Sequence, residues 1–218
     1  LPVIFCIDRA GLVGEDGPTH HGVFDIAYLR CIPNIIIFAP SNEIELRNIL
    51  YSAQLGLKNP IAIRYPRGTG SIIDWEQPYE KIEIGKGVPL KKGTKIAVLS
   101  IGTVAKNVSE AIDLMENSSE ISHFDMRFVK PLDEKLLHQI FEKHQTIITV
   151  EDGTVKGGFG SAILEFSAIK NYHIPIKVLG IPDGFIAHGN IVKLQEKIGL
   201  DAFSLSEILK NIILNLLF

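Results

Sequence analysis

The sequence is short of the features that would place it in several large protein classes. Two cysteines in 218 residues cannot build a disulfide framework. Cys6 and Cys31 lie inside apolar runs, residues 3–7 and 31–38, and are expected to be small, reduced, buried hydrophobes, which fits an intracellular setting. No apolar run approaches the roughly 18 residues of a membrane span, and no basic stretch precedes an apolar one at the start, so no membrane partner is expected. Positive charge is not in excess: 22 Lys and Arg against 25 Asp and Glu leave a formal charge of −3, which gives no field for nucleic acid. There is no G-x-G-x-x-G, no G-x-x-x-x-G-K-[ST] and no H-E-x-x-H, so a dinucleotide cradle, a P-loop and a protein-built zinc site are not expected.

What remains is an ordinary globular composition, 46% hydrophobic, arranged as short apolar runs separated by amphipathic stretches. Residues 1–7, 35–38 and 61–64 read as buried parallel strands, with a short helix over 24–30 and a longer one over 42–54. Asn42 followed by Glu45 has capping-box spacing. Residues 69–92 lose periodicity and read as an ordered linker with a brief strand at 81–85. A second unit follows, with strands at 95–101, 121–126, 146–150 and 176–179. Helices are expected at 103–115, at 132–141 after Pro131, at 160–169 and along a stripe at 205–218. The alternation predicts an α/β fold with units at 1–68 and 93–218, each a mostly parallel sheet flanked by helices. The chain opens on Leu1-Pro2-Val3, already inside a strand pattern, as expected of a piece of a longer polypeptide.

One segment concentrates reactive side chains. Residues 9–25 hold Arg9, Glu15, Asp16, adjacent His20 and His21, Asp25 and glycines 11, 14, 17 and 22, directly after the first strand. Loops at the carboxyl ends of strands are where α/β sheets bind ligands, and histidine titrates near neutrality. The plainer reading is a glycine and proline turn that satisfies its own backbone. His20 and His21 are neighbours, so only one of them is expected to face a substrate. Arg67 follows the third strand as Arg9 follows the first; the two guanidiniums either converge on one anion or each pair with a surface carboxylate. The glycine-rich stretch 151–160 matches neither phosphate fingerprint and reads as a tight strand-to-helix turn or a subunit contact. Asp16 with Asn42 loosely resembles a metal and diphosphate element, but Glu15 stands where glycine is expected, so loop hydrogen bonding is the expected task of Asp16. His123, His138, His144, His173 and His188 read as surface or core residues.

Asp8-Arg9-Ala10-Gly11, Gly14-Glu15-Asp16-Gly17-Pro18-Thr19-His20, Tyr28-Leu29-Arg30-Cys31-Ile32-Pro33-Asn34, Arg64-Tyr65-Pro66-Arg67-Gly68 and Met126-Arg127-Phe128-Val129-Lys130-Pro131 together resemble the 1-deoxy-D-xylulose-5-phosphate synthases of the transketolase superfamily. The resemblance runs along essentially the whole chain. It implies the later half of a pyrimidine-binding domain in residues 1–68, a linker in 69–92 and a transketolase C-terminal domain in 93–218. It also implies condensation of pyruvate with D-glyceraldehyde 3-phosphate, loss of carbon dioxide, thiamine diphosphate and Mg2+ as cofactors, and a homodimer. His20 and Asp16 would be catalytic and Arg9 and Arg67 would bind the substrate phosphate. The principal cofactor residues would lie upstream of Leu1, with no metal ligand in this chain, leaving it inactive alone. The implied compartment is the cytoplasm, or a plastid-type organelle in a eukaryote. A 2-oxo acid dehydrogenase beta subunit and a non-catalytic dimerisation or regulatory module are the alternatives.

Overall fold

Local sequence signals account for most elements of this computed structural model, which describes residues 1–70, 72, 74 and 76–216. β1 (Ile4–Ile7), α1 (Asp25–Arg30), β2 (Ile36–Phe38), α2 (Glu43–Gln54) and β3 (Ile61–Arg64) come first. α2 begins where its capping residue stands: the Asn42 side chain accepts the Glu45 N–H at 3.0 Å, a contact of about 1 kcal/mol. Then come β4 (Val88–Lys91), β5 (Ile96–Ile101), α3 (Val104–Asp113), β6 (Ile121–Asp125), β7 (Phe128–Lys130) and α4 (Glu134–Lys143). β8 (Thr146–Thr154), α5 (Phe159–Ile169), β9 (Ile176–Ile181), α6 (Ile191–Ile198) and α7 (Ala202–Asn215) complete the order.

Two mostly parallel sheets result, with strand orders β1-β3-β2-β7 and β4-β6-β5-β8-β9. β1 and β2 flank β3 in parallel, while β7 pairs antiparallel with β2. In the second sheet β6, β5, β8 and β9 are parallel and β4 closes one edge antiparallel to β6. β7 belongs to the first sheet although it follows β6 of the second, so the two sheets are interleaved along the chain. One core joins them: Ile26, Leu29, Ile37 and Ala62 pack with Leu99, Met126, Phe159 and Ile163. Each fully buried Leu, Ile, Phe or Met side chain contributes roughly 1.5–3 kcal/mol. A second cluster lies under α3 and α7, and a third between α2 and the first sheet.

Several expectations give way. β1 is parallel as expected, yet it lies at the edge of its sheet and Ile4, Phe5 and Cys6 are exposed; a run that is apolar on both faces does not reveal that it has a neighbour on one side only. Cys31 is exposed as well, its thiol donating to the Tyr28 carbonyl at the end of α1. Residues 81–85 form no strand. Glu80 and Ile82 donate instead to the Asn48 and Ser52 side chains of α2, which draws Ile82 into the third cluster. The strand of that region is β4. α4 follows Pro131 but starts at Glu134, two residues later than expected, because Asp133 caps the helix by accepting the Leu136 N–H. Within the linker, residues 71, 73 and 75 lie outside the described residues, as do 217 and 218 of the terminal stripe.

Candidate active site

The carboxyl ends of both sheets face one cavity of about 940 Å³. Its walls come from the segments that leave β1 (Ala10 to Leu12), β2 (Pro40 to Asn42), β3 (Tyr65 to Arg67) and β5 (Thr103, Val104), together with Asp152 of β8. In the second sheet β5 is followed by β6 on one side and β8 by β9 on the other, so the two connections run in opposite directions and open a crevice between the carboxyl ends of β5 and β8. The volume falls within the range of small-molecule and cofactor sites.

The 9–25 loop lends its first residues, Ala10 to Leu12, to the cavity, whereas Arg9, Asp16 and His20 are not among the lining residues; the loop rests on the second unit. Its neck is closed by Gly11 N–H donating to Gly22 O (2.8 Å) and Gly22 N–H donating to Arg9 O (3.0 Å). Gly22 is required there, because a Cβ would collide with the Arg9 carbonyl. Gly189 N–H donates to Gly14 O, and Thr154 N–H donates to Val23 O. His21 is buried inside the loop. Its Nδ1 accepts the Val13 N–H at 3.0 Å, which leaves Nε2 to donate toward Ala187 O. His20 is exposed, with Nδ1 3.0 Å from Thr19 Oγ1. The neighbouring histidines divide, one an anchor and the other exposed, although the segment is a turn closed on Gly17 O and not the extended stretch the alternation assumed.

Beneath the neck lies a buried charge cluster. Arg64 is 1% exposed; its Nε donates to Asp25 Oδ2 (2.7 Å), its Nη2 to Gly22 O (3.1 Å) and its Nη1 to Asp152. Burial opposes the charge on Arg64, but Asp152 and Asp25 outweigh it and hold the guanidinium above its usual range. Next to Asp152, Glu151 accepts the Phe159 and Gly160 N–H groups at the start of α5. Its carboxylate occupies the place a bound phosphate takes at a helix N-terminus. Burial pushes Glu151 up to about 7, against the opposing pull of those two amides and of Arg64.

The structure brings some of the expected site residues together and not others. Asp16 and Arg67 form an exposed ion pair across the loops that follow β1 and β3. Arg9 pairs with its neighbour Asp8 at 2.6 Å, so the two arginines hold separate carboxylates. Arg67 lines the cavity. Asn42 is occupied as the cap of α2. Sequence reasoning missed the Arg64, Asp25 and Asp152 cluster, although a signal was present: Arg64 is a charged residue in a strand whose four positions are all buried. Elsewhere His123 is buried against Ser100 and Ser109, and burial lowers it to about 4. Among the described residues no group of three or more His, Cys, Asp or Glu is placed to hold a metal ion.

Two domain families match the chain in succession. Residues 1–71 match the transketolase pyrimidine binding domain and residues 85–205 the transketolase C-terminal domain. A Bacteroides fragilis protein named 1-deoxy-D-xylulose-5-phosphate synthase is 55% identical over 203 residues, 92% of this chain and 31% of that protein. Proteins of the same name from Bacteroides thetaiotaomicron and Vibrio vulnificus are 53% and 44% identical, covering 96% and 97% of this chain and 33% of each relative. The chain thus spans about a third of the length of these curated relatives. A solved structure described as "Split gene transketolase, inactive beta4 tetramer" superposes with a TM-score of 0.80 at 27% identity, over 96% of this chain and 65% of that one. Transketolase from Campylobacter jejuni shares the fold, with a TM-score of 0.68 at 18% identity over 95% of this chain and 31% of that one. The two interleaved sheets and these matches lead to one conclusion: the chain belongs to the transketolase family, carrying pyrimidine-binding and C-terminal domain sequence.

Proposed function

We infer that this chain is the acceptor-side portion of a 1-deoxy-D-xylulose-5-phosphate synthase, which condenses pyruvate with D-glyceraldehyde 3-phosphate and releases carbon dioxide. The observation that carries this reading is 55% identity to a protein of that name along 92% of the chain. Thiamine diphosphate, bound with magnesium, supplies the electron sink for the carbon that loses carbon dioxide. Arg67, which lines the cavity, fits the substrate side of such a site.

In this reading His20 moves a proton at the acceptor oxygen, a task suited to an exposed imidazole on a fixed loop. Asp16 orients that neighbourhood. Arg67 and Arg9 bind the acceptor phosphate. Each now holds a carboxylate in an exposed pair, an interaction worth about 0–1 kcal/mol, which a phosphate gripped bidentately can displace. The boundaries 1–68, 69–92 and 93–218 serve as the working domain division, with β4 and β7 as the points where the sheets cross it.

The chain alone is inactive in this reading and associates with a second copy, a view favoured by the likeness to an inactive β4 tetramer of a split-gene transketolase. No described helix is long and apolar enough to cross a membrane, and the relatives named above are bacterial, which favours the cytoplasm over a plastid. The test is carbon dioxide release from pyruvate by the full-length enzyme containing this chain, with thiamine diphosphate and magnesium, with and without D-glyceraldehyde 3-phosphate. Acceptor-dependent release with formation of the five-carbon phosphate supports the assignment. Release tied to lipoamide acylation would assign the chain to a 2-oxo acid dehydrogenase instead.

A further inference from the structure

We propose that Arg64 is a positioning residue for the proposed reaction: its guanidinium ties the neck of the 11–22 loop, through Gly22 O and Asp25, to Asp152 of the second sheet. The loop bearing Asp16 and His20 keeps its place only while this three-way contact is intact. The proposal rests on the reading of those two side chains given above.

The base of the clamp is rigid. Arg64 ends β3, which has a parallel ladder on both sides. Its three donating nitrogens diverge in one plane and each meets a different segment: Asp25 at the start of α1, Gly22 at the loop neck and Asp152 on β8. A lysine has one nitrogen and cannot span all three. Gly22 O accepts from both Gly11 N–H and Arg64, so the hydrogen bond that closes the neck and the clamp share one acceptor.

The neck also packs directly on the clamp's far end. Gly11 has φ +70°, and a Cβ there would meet Asp152 Oδ2 at 3.0 Å; only a glycine in this conformation lets the loop lie against the carboxylate. The remaining ties between the loop and the second unit include neutral contacts: Gly189 N–H to Gly14 O, Thr154 N–H to Val23 O, and the long His21 Nε2 to Ala187 O contact at 3.4 Å. Charge-assisted hydrogen bonds are about twice as strong as neutral ones, so the Arg64 cluster dominates the anchoring of the neck. Asp25 Oδ1 has no hydrogen-bond partner in the cluster, so Asp25 has no second donor to fall back on once Arg64 leaves it.

Arg64→Ala strips a buried cation from two carboxylates and risks unfolding, so the informative variant is Asp152→Asn, which leaves the contacts of Arg64 with Asp25 and Gly22 in place. Arg64→Lys is its companion. In full-length enzyme, amide hydrogen exchange read without substrates is expected to accelerate about tenfold at Gly11, His20 and Gly22 in Asp152→Asn, which keeps an acceptor oxygen for Arg64 but removes its negative charge. Val98 and Leu99 in β5 should exchange as in wild type. Turnover should fall by a similar factor while the Michaelis constant for pyruvate stays within about twofold, since only transition-state placement is lost. Loop exchange that is unchanged, or that rises in step with β5, overturns the clamp. Wild-type enzyme that makes no five-carbon phosphate overturns the functional reading instead, and the exchange arm then decides the clamp by itself.

Discussion

The exposed loop of Asp16 and His20 and the buried cluster of Arg64, Asp25 and Asp152 lie next to each other and use charge in opposite ways. The Asp16–Arg67 pair is about half open to solvent, with side chains 36% and 57% exposed. Its partners can be exchanged at little cost. Arg64 and Asp25 are 1% and 4% exposed, and removing one partner from such a pair leaves an uncompensated charge in a low-dielectric interior. Exchangeable pairs suit groups that must release one another for a substrate. Fixed pairs suit groups that must never move. The fold places the first kind on the loop and the second kind beneath its neck.

The sharpest way to break this contrast is to delete a side chain from each region. Arg64→Ala is expected to destabilise the protein by roughly 3–5 kcal/mol, read as a lowered urea midpoint. A loss below about 1 kcal/mol would place the cluster in the same class as the surface pairs. His20→Ala in the full-length enzyme is expected to lower turnover by about 100-fold or more, the usual contribution of a positioned acid or base, with no change in melting temperature because the side chain is exposed. Wild-type turnover would return His20 to the role of a loop residue.

Glu151 sharpens the comparison through pH. Its folded value of about 7 lies above the ordinary 4.5, so between those values the native protein binds more protons than the unfolded chain, and stability falls as pH rises through that window. Asp125, raised to about 6 by burial, acts in the same direction, and His123, lowered to about 4, acts in the opposite one. Urea midpoints at pH 5 and pH 7.5 should therefore differ less in Glu151→Gln than in wild type; an identical difference in both would show that Glu151 ionises freely in the fold. The smallest effect belongs to Asp16→Ala, which should change stability by less than about 1 kcal/mol.

The sequence reveals much of the frame and little of the cluster. α2 was legible because a local signal, Asn42 with Glu45, fixes its start within a few residues. β7 was not: three residues carry no period, and their pairing with β2 joins positions distant in sequence. The exposure of Cys6 was hidden for a related reason, since an edge strand and a central strand can share one apolar pattern. His20 and Arg67 stood out because glycine-rich loops after strands concentrate reactive groups. Arg64 did not, because its partners Asp25 and Asp152 lie 39 and 88 residues away and only the fold unites them.

The most direct test of the account is the pair of Michaelis constants in Arg67→Ala full-length enzyme. Arg67 lines the shared cavity and holds an exchangeable carboxylate, so the constant for D-glyceraldehyde 3-phosphate should rise by about tenfold or more, the scale of a lost charge-assisted contact, while that for pyruvate stays within about twofold. Equal changes in both constants would contradict the assignment of Arg67 to the acceptor phosphate.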